Sequence, residues 1–229
     1  MPGPASCQVD RQKVPDPIRT DRRTWGVDLD RALIAYYEQE VALDRRAELP
    51  EHRVRLRDEF AGVLRADGAR TLLDVGAGPG LDVVGFAADG FESTGLDLAV
   101  GNAAAIRRRG ARAVAGSLYA LPFRSGSFDA VWTMSTLVHV PDARFDDAVR
   151  ELLRVVRPGG AVAVGTWGGF DFEGVSEHGD IRPYRFFALR THERFAALLA
   201  RHGTVEGYQT MAPNPDSHWE YQFAVLRAP

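Results

Sequence analysis

The sequence predicts an α/β fold in which a mostly parallel sheet is covered by helices on both faces. From Thr71 onward, short apolar runs alternate with amphipathic stretches, which is how strands buried on both faces read. The connections between them are short, as successive strand-helix units require. A glycine-rich turn follows the first apolar run directly. With 229 residues, the chain suffices for one such domain behind an N-terminal extension.

Residues 1–25 mix Pro2, Pro4, Pro15 and Pro17 with charges. So little apolar content cannot offset the entropy of ordering, and a mobile arm is expected. Residues 26–70 are expected to form a helical extension. Leu29, Leu33, Tyr36 and Tyr37 fall at helical spacing between Asp28 and about Ala47. A second helix follows Pro50, with Leu56, Phe60, Val63 and Leu64 on one face.

The domain proper is expected over residues 71–229. Its first strand is TLLDV, Thr71 to Val75, and a glycine-rich turn leads from it into a helix ending near Gly90. A strand at Glu92 to Leu96, a helix to Arg109 and a strand at Arg112 to Ala115 follow, then a fourth strand, Phe128 to Thr133. Phe145, Val149, Leu152 and Val156 mark the next helix, predicted to stop at Pro158-Gly159-Gly160. The fifth strand is Ala161 to Trp167, and the stretch containing Gly168, Gly169, Gly174 and Gly179 reads as a loop near the active site. Thr191 is placed to cap a helix carrying Phe195, Leu198 and Leu199, closed by Gly203. Strands near Thr204 to Thr210 and His218 to Leu226 end the chain.

Composition narrows the function. The formal charge of -3 gives no reason to expect a polyanionic partner, so nucleic acid is not expected. Cys7 is the only cysteine, which excludes an intramolecular disulfide and a cysteine metal site. No stretch approaches the ~20 apolar residues of a membrane span, and the first residues lack a signal's apolar core. A cytoplasmic protein without membrane contact is expected.

The segment LLDVGAGPG, Leu72 to Gly80, carries the chemistry. It sits where the first strand meets the following helix, the crevice at which doubly wound sheets bind ligands. Glycines at 76, 78 and 80 let the backbone turn tightly there, so Gly76, Ala77 and Gly78 should line the ligand. A glycine triplet alone fits dinucleotide enzymes too, and some tight turns bind nothing.

The G-x-G-x-G spacing, with Asp74 inside the strand end, resembles the first motif of class I S-adenosylmethionine-dependent methyltransferases. AGSLYALPF (Ala115 to Phe123), SFDAVWTMSTLVHVPD (Ser127 to Asp142) and RVVRPGGAVAV (Arg154 to Val164) are similar to the blocks around that family's third, fourth and fifth strands. The resemblance implies a three-layer, Rossmann-like, seven-stranded sheet of order 3-2-1-4-5-7-6 with the last strand antiparallel. It implies S-adenosyl-L-methionine as cofactor, S-adenosyl-L-homocysteine as product, and no metal.

By the same resemblance Asp74 accepts hydrogen bonds around the methionine amino group. Asp97, 23 residues later, takes both ribose hydroxyls; the alternative is that it caps the helix starting near Leu98. Ser117 stands where the family usually has an acid facing the adenine amine, and a hydroxyl is a weaker acceptor. Leu118 supplies a backbone contact and an apolar surface to the ring, and Leu98 and Met134 complete the cofactor set.

Thr133-Met134-Ser135-Thr136 replaces the Asn/Asp-Pro-Pro-aromatic motif of nucleic-acid amino-methylating relatives. Neither the double-glutamate loop of arginine methyltransferases nor the acidic metal cluster of catechol-type enzymes is visible. What remains is a small-molecule acceptor, in the ubiquinone/menaquinone-like and natural-product branch, methylated on O or N by in-line displacement. A monomer or homodimer is expected.

His139, in LVHVPD, resembles the histidine base of some sugar and natural-product methyltransferases; packing under the loop is the alternative. Asp171, Glu177 and His178 are further candidates. Tyr36 and Tyr37 are expected to line the acceptor pocket or to pack, and Arg45 or Arg46 to meet the methionine carboxylate. Trp167 is either acceptor wall or core. The rival functions are an NAD(P)-dependent oxidoreductase, whose third glycine would fall on Leu81, and a non-catalytic S-adenosylmethionine-binding scaffold or sensor.

Overall fold

The structure, a computed structural model, describes residues 27–177, 179–213 and 218–229, with side chains from Leu29 onward. The arm expected over residues 1–25, Cys7 within it, and His178 lie outside the described residues.

Helices α1 (Val27–Ala42) and α2 (Glu51–Ala66) precede the sheet. Strands β1 (Thr71–Val75), β2 (Glu92–Asp97), β3 (Arg112–Ala115), β4 (Phe128–Met134) and β5 (Val156–Gly168) pair in parallel with their neighbours. A hairpin of β6 (Phe172–Ser176) and β7 (Arg185–Leu189) follows β5. Then β8 (Thr204–Met211) and β9 (Glu220–Arg227) complete the sheet, β9 antiparallel to both β5 and β8. The order is β3-β2-β1-β4-β5-β9-β8. It is the expected one, the hairpin having moved the last two numbers up.

Strand alternation sends Leu72 and Leu73 to opposite faces, and each face is covered. On one, Leu73, Val75, Val131 and Val162 pack against Phe145, Val149 and Leu152 of α5 (Phe145–Val155) and Phe195 and Leu199 of α6 (His192–Ala200). On the other, Leu72, Ala130 and Trp132 meet Leu56, Phe60 and Leu64 of α2 and Phe86 of α3 (Leu81–Ala88). The four-residue spacing of Leu56, Phe60 and Leu64 gives α2 its one apolar stripe. Full burial of each such side chain contributes about 1.5–3 kcal/mol.

Three boundaries differ from the sequence expectations. Helix α1 ends at Ala42, not near Ala47, because Asp44 turns to φ 49°. Helix α5 ends at Val155, and Val156 already pairs with Phe128 as the first residue of β5. Pro158 excludes the helical region for Arg157 before it, so the chain turns extended early. The glycine-containing stretch after β5 is the β6–β7 hairpin rather than a loop. Gly168, the last residue of β5, marks a close contact, since a Cβ there would stand 2.4 Å from the Arg190 carbonyl, while Gly179 serves the hairpin turn with φ 97°.

Candidate functional site

The turn after β1 favours glycine at three positions. Gly76, Gly78 and Gly80 have φ of 73°, 55° and 88°, values that cost an L side chain about 1–2 kcal/mol. A Cβ on Gly76 would also lie 2.0 Å from Thr136 Oγ1. The backbone N–H groups of Gly76 and Ala77 both donate to the Leu96 carbonyl, at 2.8 and 3.0 Å, which ties the turn to the tip of β2.

Asp97 stands at that tip. Its Oδ2 accepts from Gly78 N at 2.8 Å, and its Oδ1 from Ala99 N at 2.9 Å and Asn102 Nδ2 at 3.1 Å. It therefore braces both the glycine turn and the start of α4 (Val100–Arg108). Burial raises its pKa, against the hydrogen bonds and Arg46, which lower it.

Asp74 is fully buried, and neither of its carboxylate oxygens has a hydrogen-bond partner among the described residues. Desolvation holds its pKa well above the carboxylate range, and the nearby Asp82 carboxylate adds to the rise while Arg53 opposes it. An orphaned buried carboxyl costs about 1–3 kcal/mol or more. Asp82 is better served: its Oδ2 accepts from Arg53 Nε at 2.7 Å and Trp132 Nε1 at 3.1 Å.

A cleft of about 710 Å³, part of it open to solvent, lies against the strand tips. Of the residues expected to hold a cofactor, Gly76, Gly78, Asp97, Leu98, Ser117, Leu118 and Met134 line it. Of those expected at the acceptor, Tyr37 and His139 do. Asp74 and Ala77 are not among the lining residues, Asp74 lying one residue below the rim that Val75 and Gly76 form. Tyr36 is buried beside Tyr37, with its ring under the Arg185 guanidinium at 4.3 Å. Trp167 is not brought to this cleft; it packs on Tyr221, His52 and Trp219, ring centres 5.0, 6.2 and 6.5 Å away. Arg45 pairs with Asp180 at the surface, and Asp171 with Arg194.

Several residues join the site without having been singled out for it in the sequence. Asp30, Asn102, Tyr119, Ser135 and Thr136 line the cleft. Ser135, directly after β4, has φ 56°, a left-handed backbone at the cleft wall of the kind that clusters at functional positions. Nothing in the residue type signals this. Arg53 could have been suspected only from its place on α2.

His139 has a defined tautomer. Its Nδ1 lies 2.7 Å from the Phe186 carbonyl, which can only accept, so Nδ1 carries the proton. Nε2 is then the acceptor for the Tyr37 hydroxyl, also at 2.7 Å. Burial pushes the imidazole pKa down to about 3, and Arg185 and Arg46 add to the drop while the Phe186 bond opposes it. At neutral pH His139 is an uncharged hydrogen-bond acceptor behind Tyr37.

Helix α1 lies over the cleft through bonds to three parts of the fold. Tyr37 meets His139, Glu38 Oε1 accepts from Gly101 N at 2.9 Å, and Gln39 Nε2 donates to the Arg182 carbonyl at 2.5 Å. Among the described residues no group of His, Cys, Asp and Glu is arranged to hold a metal, and no helix is long and apolar enough to cross a membrane.

Residues 73–164 match a family model described as a methyltransferase domain. The chain is 34% identical over 134 residues to 27-O-demethylrifamycin SV methyltransferase of Amycolatopsis mediterranei, covering 53% of this chain and 47% of that protein. It is 34% identical over 168 residues to 2-methyl-6-phytyl-1,4-hydroquinone methyltransferase of Synechocystis, covering 67% and 52%. The chain thus spans about half the length of these relatives. Among solved structures, a 1,6-didemethyltoxoflavin-N1-methyltransferase of Burkholderia thailandensis, with S-adenosylhomocysteine bound, superposes with a TM-score of 0.62 at 21% identity, over 86% of this chain and 84% of that one. At that identity the likeness is one of fold.

Proposed function

From a chain that belongs, through residues 73–164, to the class I S-adenosylmethionine-dependent methyltransferases of the small-molecule branch, we propose an enzyme that methylates a small-molecule acceptor on O or N. The natural-product and quinone substrates named for its relatives fit an acceptor from secondary metabolism. The family match goes against the oxidoreductase alternative.

The observation that carries the reading is the pair of buried carboxylates, Asp74 and Asp97, at neighbouring strand tips on either side of the glycine turn. These residues fit the cofactor. Asp74 has two unpartnered oxygens suited to an ammonium group, and Gly76 and Gly78 leave a backbone cradle bare of side chains. Asp97 can accept more at the cleft wall, since a carboxylate offers about four lone-pair sites and three bonds are made. Ser117 and Leu118 would meet the adenine, with Leu98 and Met134 as apolar walls. When bound, S-adenosylmethionine supplies a methyl carbon on a positive sulfur, which leaves as a neutral thioether.

The chain's part is then to orient, to exclude water and to receive a proton. Helix α1 closes the cleft from above. Tyr37 and His139 form the proton-handling pair: the phenol faces the cleft, and Nε2 behind it holds the lone pair. Calorimetry with S-adenosylmethionine and its demethylated product tests the cofactor. Asp97→Ala is expected to weaken binding by about 1–3 kcal/mol, and His139→Ala to slow transfer by roughly 10² with binding intact. A wild-type protein that ignores the nucleoside at millimolar concentration sinks the proposal.

A further inference from the structure

Among the described residues Arg185 is a cation without an anion. It stands at the start of β7, half-buried, and forms no ion pair among the described residues. Its Nε is buried and unpartnered. Its guanidinium lies in a cage of rings, 4.3 Å from the centre of Tyr36, 5.1 Å from Phe187 and 5.9 Å from Tyr37. Of the other arginines near the site, Arg46 pairs with Glu40, Arg53 with Asp82 and Arg45 with Asp180, while Arg144 stacks on Tyr119 away from the Tyr37–His139 pair.

The free charge sits beside the proton-handling pair. Arg185 Nη1 is 3.4 Å from the Tyr37 hydroxyl, and the carbonyl of the next residue, Phe186, fixes the His139 tautomer. The Tyr37 proton is committed to His139 Nε2. Arg185 is not itself among the residues lining the cleft; it stands against the hydroxyl of Tyr37, which is. An oxygen admitted past that hydroxyl finds guanidinium N–H groups as the unspent donors, in surroundings where a charge-assisted bond is strong.

We propose that Arg185 is the anion-binding group of the acceptor subsite, and that the acceptor is a phenol or enol held there as its oxyanion. This rests on the methyltransferase reading and narrows its substrate class. A guanidinium beside the acceptor oxygen stabilises its oxyanion and so eases loss of the proton, by way of the Tyr37 hydroxyl, to His139 Nε2. The low basicity of His139, whose pKa is pushed down to about 3 by burial, suits such an acceptor and not an aliphatic alcohol, which needs a strong base.

The test uses the full chain with S-adenosylhomocysteine bound and 4-nitrophenol as probe, because ionisation of this phenol is visible in its absorption. Wild-type protein is expected to bind the nitrophenolate and to lower the apparent pKa of the bound probe. Arg185→Gln should lose roughly tenfold or more in affinity together with the pKa shift, and Arg185→Lys should recover part of both. Benzyl alcohol and aniline, of similar shape but uncharged, should bind weakly and equally to all three proteins. Wild-type protein that prefers the neutral probes, or binds no probe, overturns the proposal, as does Arg185→Gln with nitrophenolate affinity and shift unchanged. Calorimetry of the nucleoside separates this from the parent reading: tight nucleoside binding without phenolate preference removes only the anion subsite.

Discussion

The Tyr37 hydroxyl stands 2.7 Å from Nε2 of His139, joining residues 102 positions apart in the chain. One end of this bond belongs to the helix that covers the cleft and the other to the short turn after β4. The same contact therefore closes the site and sets the state of its one buried imidazole.

Removing the phenol should loosen the cover. Tyr37→Phe leaves Nε2 of His139 buried and unpaired, at a cost of about 1–3 kcal/mol. Amide exchange across Val27–Ala42 is expected to speed up while exchange in β1 and β4 stays slow. Protection of α1 equal to wild type would show that the Glu38 and Gln39 bonds hold the helix alone.

Acid should expose the buried histidine. Folded His139 titrates near about 3 and an unfolded histidine near 6.5, so between those values only the unfolded chain takes up the proton. Stability is then complete above pH 6.5 and falls as the pH drops toward 3. By about pH 5 the loss from this group is about 2 kcal/mol. Urea unfolding of wild type and His139→Gln at about pH 7.5 and about pH 5 measures it, because the contribution of Asp74, opposite in sign, is common to both proteins. An equal acid loss in both would place the titration elsewhere.

The orphaned carboxyl should set stability against binding. Asp74→Asn removes a buried group that resists ionisation and offers an amide N–H toward the Asp82 carboxylate, whose Oδ1 is unpartnered. The ligand-free protein is expected to melt at the wild-type temperature or above it, while the stabilisation by S-adenosylhomocysteine shrinks. A melting temperature well below wild type would mean that Asp74 has a structural partner.

The glycine turn should reject even one methyl. Gly76→Ala meets Thr136 Oγ1 at 2.0 Å and keeps a φ of 73°, so a loss of about 1–3 kcal/mol is expected. Adding Thr136→Ala should recover the clash but not the backbone strain. Chemical denaturation of the single and double variants separates the two terms, and full recovery would show that φ relaxes.

The sequence by itself determined the sheet, because short apolar runs alternating with amphipathic stretches are local signals. TLLDV, the glycine turn and Asp97 announced where a ligand site is expected, since glycine adopts those dihedral angles at least cost and the strand tips bring the turn and Asp97 together. The stretch from Gly168 to Gly179 misled because glycine also stands at close backbone approaches, as at Gly168, and inside strands, as at Gly174 in β6, and only the packed fold distinguishes these from loops.

Tertiary structure alone decided the rest. Tyr37 rather than Tyr36 faces the cleft, and Trp167 turns to the aromatic cluster of Tyr221. His139 became a neutral acceptor, and Arg185, from a hairpin that reads as a loop, arrived near it with no ion pair among the described residues. Burial, charge pairing and tautomer depend on what surrounds a side chain in space, and those neighbours come from segments far apart in the chain.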